Sequence, residues 1–92
     1  MAHITGGGIP ENLPRCLPEG LGVSVNYNAW PLPEVFRKIM LAGEILEEDM
    51  KNTFNMGIGY CLVVPAETVR QTELIVEEHD LKSWIIGTVE KL

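Results

Sequence analysis

The sequence has little cysteine and no long hydrophobic run. Cys16 and Cys61 are its only cysteines, and they show neither a C-x-x-C spacing nor a nearby pair of histidines, so no structural zinc site is expected. Both lie among apolar neighbours, which favours free buried thiols and a cytoplasmic protein, although sequence alone leaves a disulfide open. The longest apolar run, residues 58–64, is far shorter than the ~20 residues of a membrane helix. No basic segment followed by an apolar core marks a secretory signal.

Positive charge is also scarce. The net charge is −6, and all of it comes from residues 44–92, which carry ten acidic and four basic side chains. No basic stripe is present that could neutralise the phosphates of a nucleic acid, so nucleic acid is not expected as a partner. The acidic half is interpreted as a solvated surface. A small phosphate ligand held by backbone amides and one arginine stays compatible with this charge.

The length of 92 residues allows one domain, and 46% hydrophobic with 22% charged residues is ordinary globular composition. Apolar periodicity, proline and glycine predict helices at 9–17, 33–43, 45–50 and 66–79. They predict strands at 23–27, 58–64 and 84–89, the second of them central and buried on both faces. The helix at 66–79 is expected to bury Val69, Ile75 and Val76. This order predicts an α/β sandwich, with one small mixed sheet, partly parallel, and helices packed against it.

A run of glycines stands near the start of the chain, in Thr5-Gly6-Gly7-Gly8, just before a predicted helix start at Ile9-Pro10. Glycine has no Cβ, so such a run allows backbone N–H groups to approach a ligand closely. At a helix N-terminus these groups favour an anion, most often a phosphate. The run is therefore a candidate phosphate-binding loop. A simple turn is the alternative interpretation.

Two further polar features accompany the glycines. Asn12 and Arg15 are three residues apart and share one face if the segment is helical, where the guanidinium can fork onto a phosphate or carboxylate. Asn55 lies in Phe54-Asn55-Met56-Gly57, just before the predicted central strand, and sheet ends are common ligand sites in α/β folds. In the alternative interpretation, Gly57 permits tight packing and Asn55 merely closes a turn.

No nucleophile, base and orienting residue form a recognisable catalytic set. The sequence has no G-x-S-x-G, no P-loop lysine and no pair of carboxylates at a convincing spacing. His3 is the one histidine close to the glycines, and imidazole is a common general acid or base. It is therefore the candidate acid or base.

The stretches AHITGGGIPENLPRCLPEGLG and TFNMGIGYCLVVP carry a family resemblance. The combination of HITGGG-x-x-E-N-x-P-R with T-F-N-x-G-x-G closely resembles the C-terminal domain of the aminoimidazole ribonucleotide synthetases, or phosphoribosylformylglycinamidine cyclo-ligases. The resemblance runs from Ala2 to the final SWIIGTV and so covers nearly the whole chain. Related selenophosphate synthetases, thiamine-monophosphate kinases and hydrogenase-maturation proteins have looser glycine motifs, and another such ATP-dependent enzyme is an alternative.

The resemblance implies a cytoplasmic, homodimeric enzyme of purine biosynthesis. Such an enzyme uses ATP and Mg²⁺ to convert formylglycinamidine ribonucleotide to aminoimidazole ribonucleotide, by phosphorylating the formyl oxygen before the amidine nitrogen closes the ring. The ATP-binding residues and metal-binding acids of the family lie mostly in an N-terminal domain. None of that domain is recognisable in this sequence, so residues 1–92 are expected to be a partial C-terminal domain, inactive alone and holding neither ATP nor metal.

The resemblance implies that the site residues carried over by the motifs face the cleft toward that N-terminal domain. They are His3 as a catalytic candidate and Thr5, Gly6, Gly7, Gly8, Asn12, Arg15 and Asn55 as substrate-binding residues. The resemblance assigns Thr5 and the glycine amides to the ribose-phosphate side of the substrate, with Arg15 and Asn55 supporting that geometry. The alternative from another class is a non-catalytic binding or oligomerisation module that has kept this fold.

Overall fold

The computed structural model describes all 92 residues and contains four α-helices and four β-strands. The helices are α1 (Gly8–Asn12), α2 (Glu34–Gly43), α3 (Glu47–Thr53) and α4 (Val69–Glu78). The strands are β1 (Ala2–His3), β2 (Leu21–Val25), β3 (Tyr60–Cys61) and β4 (Gly87–Lys91). Two 3-10 turns, Leu13–Cys16 and Ala66–Thr68, follow α1 and precede α4. The predicted α/β class is confirmed.

The strands form two separate sheets. β1 pairs antiparallel with β3, with Ala2 opposite Cys61 and His3 opposite Tyr60. β2 pairs antiparallel with β4, with Val23 opposite Val89 at the centre. The expectation of one partly parallel sheet is therefore wrong in its topology. Each strand pairs with one that is distant in sequence, and no helical crossover links two neighbouring parallel strands.

The run at 58–64 differs most from its prediction. Ile58 and Cys61 are buried, but only Tyr60 and Cys61 belong to a strand. Leu62 and Val63 are 49% and 42% exposed, and the backbone of residues 62–64 forms no hydrogen bond within the chain. Burial on both faces of a strand requires neighbours that cover both faces. This segment has one short neighbour, β1, so its apolar side chains stay at the surface.

The remaining differences are shifts of element ends. β2 ends at Val25, because Asn26 begins a turn in which its Oδ1 accepts the Asn28 N–H at 3.0 Å and its carbonyl accepts the Ala29 N–H at 3.1 Å. β4 correspondingly begins at Gly87, three residues later than predicted. The helix expected from residue 66 begins with a 3-10 turn. The predicted burial of Val69, Ile75 and Val76 is wrong: no residue of α4 is fully buried and Ile75 is 51% exposed, because α4 packs chiefly against the 3-10 turn that precedes it.

The core is formed largely by side chains of the first fifteen residues, together with Met50 of α3 and side chains between residues 30 and 61. Its buried apolar side chains are Ala2, Ile4, Ile9, Leu13, Trp30, Met50, Met56, Ile58 and Cys61. Removing these side chains from water supplies most of the favourable free energy of folding. Because Ile4, Ile9 and Leu13 flank the glycine run, burying them holds that run against the body of the protein. None of the helices combines the length and the apolar character that crossing a bilayer requires.

Candidate functional site

The loop formed by residues 5–8 has a conformation that depends on glycine. Gly7 and Gly8 have φ values of 94° and 66°, a left-handed region that side chains disfavour. The Gly7 N–H donates to the Thr53 carbonyl at 3.3 Å, and the Gly8 N–H donates to the Thr5 carbonyl at 3.0 Å. The N–H groups of Thr5 and Gly6 form no hydrogen bond within the chain, and both residues are exposed. Two of these four amides are therefore available to a ligand.

Asn12 holds this loop in place. Its Nδ2 donates to the Gly8 carbonyl at 2.8 Å and, at 3.2 Å, to the carbonyls of Thr5 and Gly6. Its Oδ1 accepts from the Thr5 hydroxyl at 3.1 Å and from Arg15 Nη1 at 3.4 Å. The residue is buried, and these bonds replace the water that its amide loses. The amide of Asn12 thus connects the glycine loop to Arg15.

Arg15 and Glu11 form an ion pair above the loop. Arg15 Nη2 lies 3.3 Å from Glu11 Oε1, one helical turn away, and the two side chains are 66% and 59% exposed. The Glu11 side chain also folds back onto Gly7, so a Cβ at Gly7 would lie only 2.5 Å from Glu11 Cδ. The carboxylate therefore lies against the backbone of the glycine loop.

Three of the predicted site residues line one shallow depression. It has a volume of about 210 Å³ and is lined by Met1, Ala2, His3, Asn12, Arg15 and Cys16. The His3 ring stacks on the ring of Tyr60, with centroids 4.7 Å apart and planes 11° apart. This contact restricts the imidazole at the edge of the depression. One surface is therefore shared by His3, Asn12 and Arg15.

Asn55 does not line this depression. Its Oδ1 accepts the Gly57 N–H at 2.8 Å and closes the turn that leads to Ile58. The contact of the Asn55 side chain is therefore the one expected if Asn55 closes a turn. The segment itself does reach the glycine loop, because a Cβ at Gly8 would lie 2.6 Å from the Phe54 carbonyl oxygen. The two motifs are neighbours, although the Asn55 side chain faces its own turn.

Comparison with known proteins decides the family. A family model described as "AIR synthase related protein, C-terminal domain" matches residues 1–92. The chain belongs to this family. It is 51% identical over 90 residues to the phosphoribosylformylglycinamidine cyclo-ligase of Synechococcus sp. (strain CC9311), covering 98% of this chain and 26% of that protein. It is 50% identical over 91 residues to the enzyme of the same name from Prochlorococcus marinus (strain MIT 9211), covering 99% and 26%.

The coverage of these relatives is uneven. This AIR synthase C-terminal domain chain matches along nearly all of its own residues, yet spans about a quarter of the length of the curated relatives. The resemblance read from the glycine and asparagine motifs is therefore confirmed at the level of the family. The activity belongs to relatives that are about four times as long.

Two residues that contact this surface were not predicted from the sequence. Glu11 stands four residues before Arg15, a spacing that places an acid and a base together on a helix, and that signal was available. Tyr60 faces His3 only because β1 and β3 pair. No local pattern reveals a pairing between segments 57 residues apart in a 92-residue chain.

The residues present suit an anion but not a metal. The exposed guanidinium of Arg15 and the unpaired N–H groups of Thr5 and Gly6 are anion-binding groups. No group of three or more His, Cys, Asp or Glu side chains is arranged to hold a metal ion, so these residues do not form a site for ATP-bound Mg²⁺. Both cysteines are free, and burial raises the pKa of the Cys61 thiol, which keeps it protonated.

Proposed function

We propose that this chain is the substrate-side part of an ATP-dependent cyclo-ligase that converts formylglycinamidine ribonucleotide to aminoimidazole ribonucleotide. The observation that carries the proposal is the shared surface of His3, Asn12 and Arg15 beside the glycine loop. The chain that carries this surface is 51% identical, over 98% of its length, to a protein named as a cyclo-ligase. The residues that form the surface are those of the motif that carries the resemblance.

The proposed phosphate contacts are the Arg15 guanidinium and the N–H groups of Thr5 and Gly6. These groups are exposed and have donor capacity that the chain does not use. Charge-assisted bonds from a guanidinium to phosphate are among the stronger hydrogen bonds in proteins. Gly7 and Gly8 would shape the loop, because their N–H groups already donate to carbonyls. Asn12 would contribute to binding by holding the loop and Arg15 in position. Asn55 would contribute by closing the turn that supports the loop.

His3 is the proposed acid–base group. Its imidazole borders the depression and stacks on Tyr60, which holds it close to where a ligand on the loop would extend. An imidazole can donate or accept a proton at its ring nitrogens and suits the proton transfers that accompany ring closure. The reaction needs such a transfer, because the attacking amidine nitrogen loses a proton as the ring forms.

ATP and Mg²⁺ would be held by an N-terminal domain of the full-length enzyme, outside these residues. That domain is the proposed partner in the cytoplasm, and the full-length enzyme is proposed to be a homodimer. The isolated 92 residues are accordingly proposed to be inactive, and to supply one wall of a cleft that the other domain completes.

An amide NMR titration with inorganic phosphate tests the site directly. Saturable shifts of the Thr5 and Gly6 amides are expected, and they should be lost in Arg15→Gln but kept in the control Arg70→Gln on α4. Unchanged amides in the wild-type chain would refute the phosphate site. A second experiment adds the remaining part of a cyclo-ligase in trans, where ring closure is expected only with both parts present. ATP hydrolysis by the 92 residues alone would contradict the proposed division.

A binding or oligomerisation module is the second candidate, favoured by one observation. Tyr60, Leu62 and Val63 are exposed, and the backbone of residues 62–64 is unpaired, so this edge can accept another strand. Self-association in light scattering, abolished by Leu62→Lys, would support a module. A monomer at high concentration that still binds phosphate would favour the cyclo-ligase part instead.

A further inference from the structure

Glu11 occupies a position at the glycine loop that a ligand anion would be expected to enter. Its side chain covers Gly7 so closely that a Cβ there would lie 2.8 Å from Glu11 Cβ and 2.5 Å from Cδ, and would meet Oε2. The other carboxylate oxygen pairs with Arg15 at 3.3 Å. One carboxylate therefore contacts both the loop backbone and the cation of the site.

This carboxylate and a bound phosphate have the same sign and need the same partner. A phosphate that reached Arg15 and the N–H groups of Thr5 and Gly6 would lie next to Glu11, and like charges at such distances repel. The Glu11 side chain is 59% exposed, so it can rotate into water without loss of buried packing. An exposed ion pair of this kind is weak, so a doubly charged competitor can replace it.

We propose that Glu11 is an internal competitor that occupies Arg15 until a phosphate-bearing ligand displaces it, and that it thereby lowers the affinity of the site for anions. This inference rests on the proposed function, since it concerns the same anion site. A neutral, unphosphorylated nucleoside brings no charge to replace the carboxylate and leaves the ion pair intact. A phosphate dianion forms a stronger, forked contact with the guanidinium and drives Glu11 into solvent. Because this exchange breaks the Glu11–Arg15 ion pair, the site binds phosphate more weakly than it would without the carboxylate.

The same phosphate titration, at neutral pH and low salt, measures the competition. Glu11→Gln keeps the size of the side chain but removes its charge, and it should bind inorganic phosphate about two- to fivefold more tightly than the wild-type chain, a factor typical of losing an exposed ion pair. Glu11→Asp keeps the charge but is one methylene shorter. It should also bind more tightly, because its carboxylate no longer spans the turn to Arg15. Glu78→Gln on α4 controls for the change in net charge and should bind like the wild-type chain.

Each outcome decides the inference. Equal affinity of the wild-type chain and Glu11→Gln overturns the competitor role while leaving the anion site in place. Tighter binding by Glu78→Gln to the same extent shows a general charge effect and also overturns it, as does wild-type affinity in Glu11→Asp. If no variant shows saturable shifts at Thr5 and Gly6, the anion site of the proposed function fails, and the inference fails with it. Residue 11 is exposed, so its replacement should leave the fold intact. Unchanged amide spectra away from the loop verify that each variant is folded.

Discussion

The indole N–H of Trp30 donates a hydrogen bond of 2.9 Å to the backbone carbonyl of Met56, across 26 positions of sequence. Both residues are buried, and Met56 itself has a positive φ of 55°. A Cβ at Gly57 would lie 2.7 Å from Pro33 Cδ, so the segment after Trp30 packs directly on this turn. The hydrogen bond therefore ties the 55–57 turn, and through it the support of the glycine loop, to the rest of the core.

Replacing Trp30 by Phe should lower the free energy of unfolding by about 2–4 kcal/mol. The change leaves the Met56 carbonyl buried without a partner and removes part of a large packed ring. Urea unfolding measures the loss. Trp84→Phe is the matched control, because Trp84 is 38% exposed and its indole forms no hydrogen bond, and it should cost less than about 1 kcal/mol. Equal losses for the two variants would contradict the role of the bond.

Alanine at Gly8 should be far more damaging than alanine at Gly6. Gly8 combines a φ of 66° with a close approach to the carbonyls of Lys51 and Phe54, so a methyl group has no room. The expected loss is at least about 3 kcal/mol from strain and overpacking. Gly6→Ala meets nothing within 4 Å and should stay within about 1 kcal/mol of the wild-type stability. A well-folded Gly8→Ala chain would show that the loop adapts more readily than its contacts indicate.

Asn12→Ala should destabilise the protein by about 2–3 kcal/mol and release the loop. The variant removes five hydrogen bonds and leaves the Gly8 carbonyl without its 2.8 Å partner. Asn12→Asp has the same shape but places a carboxylate against carbonyl oxygens, so it should not restore stability. Thermal unfolding gives the size of the loss, and hydrogen exchange at Gly8 reports the loop. The control Asn52→Ala changes an exposed amide on α3 and should have little effect.

Stability should fall as the pH rises through the alkaline range. Burial, followed by the neighbouring charge of Cys16, raises the pKa of the Cys61 thiol, and burial likewise raises the pKa of Tyr27. A raised pKa means that the folded chain binds the proton more tightly than the unfolded chain. The resulting stabilisation is complete below the ordinary thiol value of about 8.5 and is lost as pH climbs toward the folded-state pKa.

Urea unfolding at a series of alkaline pH values measures this slope. The free energy of unfolding of Cys61→Ala will be lower at neutral pH, because the variant leaves a small cavity, but its decline with pH should be shallower. Cys16→Ala should reduce the slope only slightly, since the charge of Cys16 is the smaller cause of the shift. A slope that is identical in wild type and Cys61→Ala would show that other groups govern the alkaline loss.

Helix positions were the most predictable part of the fold. α2 begins after Pro33 and ends at Gly43 as the proline and glycine indicated, and α3 and α4 lie within a few residues of their predicted bounds. These signals act within a few residues, so a single sequence contains them. The connection of the glycine run to Asn12 and Arg15 was equally local, and the structure places Asn12 and Arg15 together on one surface.

Strand pairing was the least predictable part. The apolar run at 58–64 satisfies every local criterion for a central strand, yet Leu62 and Val63 are exposed because no second strand lies beside them. The same limit applied to Tyr60, whose stacking on His3 depends on the register of β1 against β3. A residue pattern specifies which face is apolar, whereas the neighbour that covers this face comes from a distant part of the chain.

The sequence by itself determined the family, the α/β class and the sites of helices, because motifs and helical periodicity are encoded over a few residues. Only the tertiary structure decided how the strands pair, which glycine amides are already bonded, and that Glu11 lies over Gly7. Those features depend on hydrogen bonds and packing between separated segments, such as Gly7 with Thr53 and Trp30 with Met56. Such contacts form only when the whole chain closes around its core.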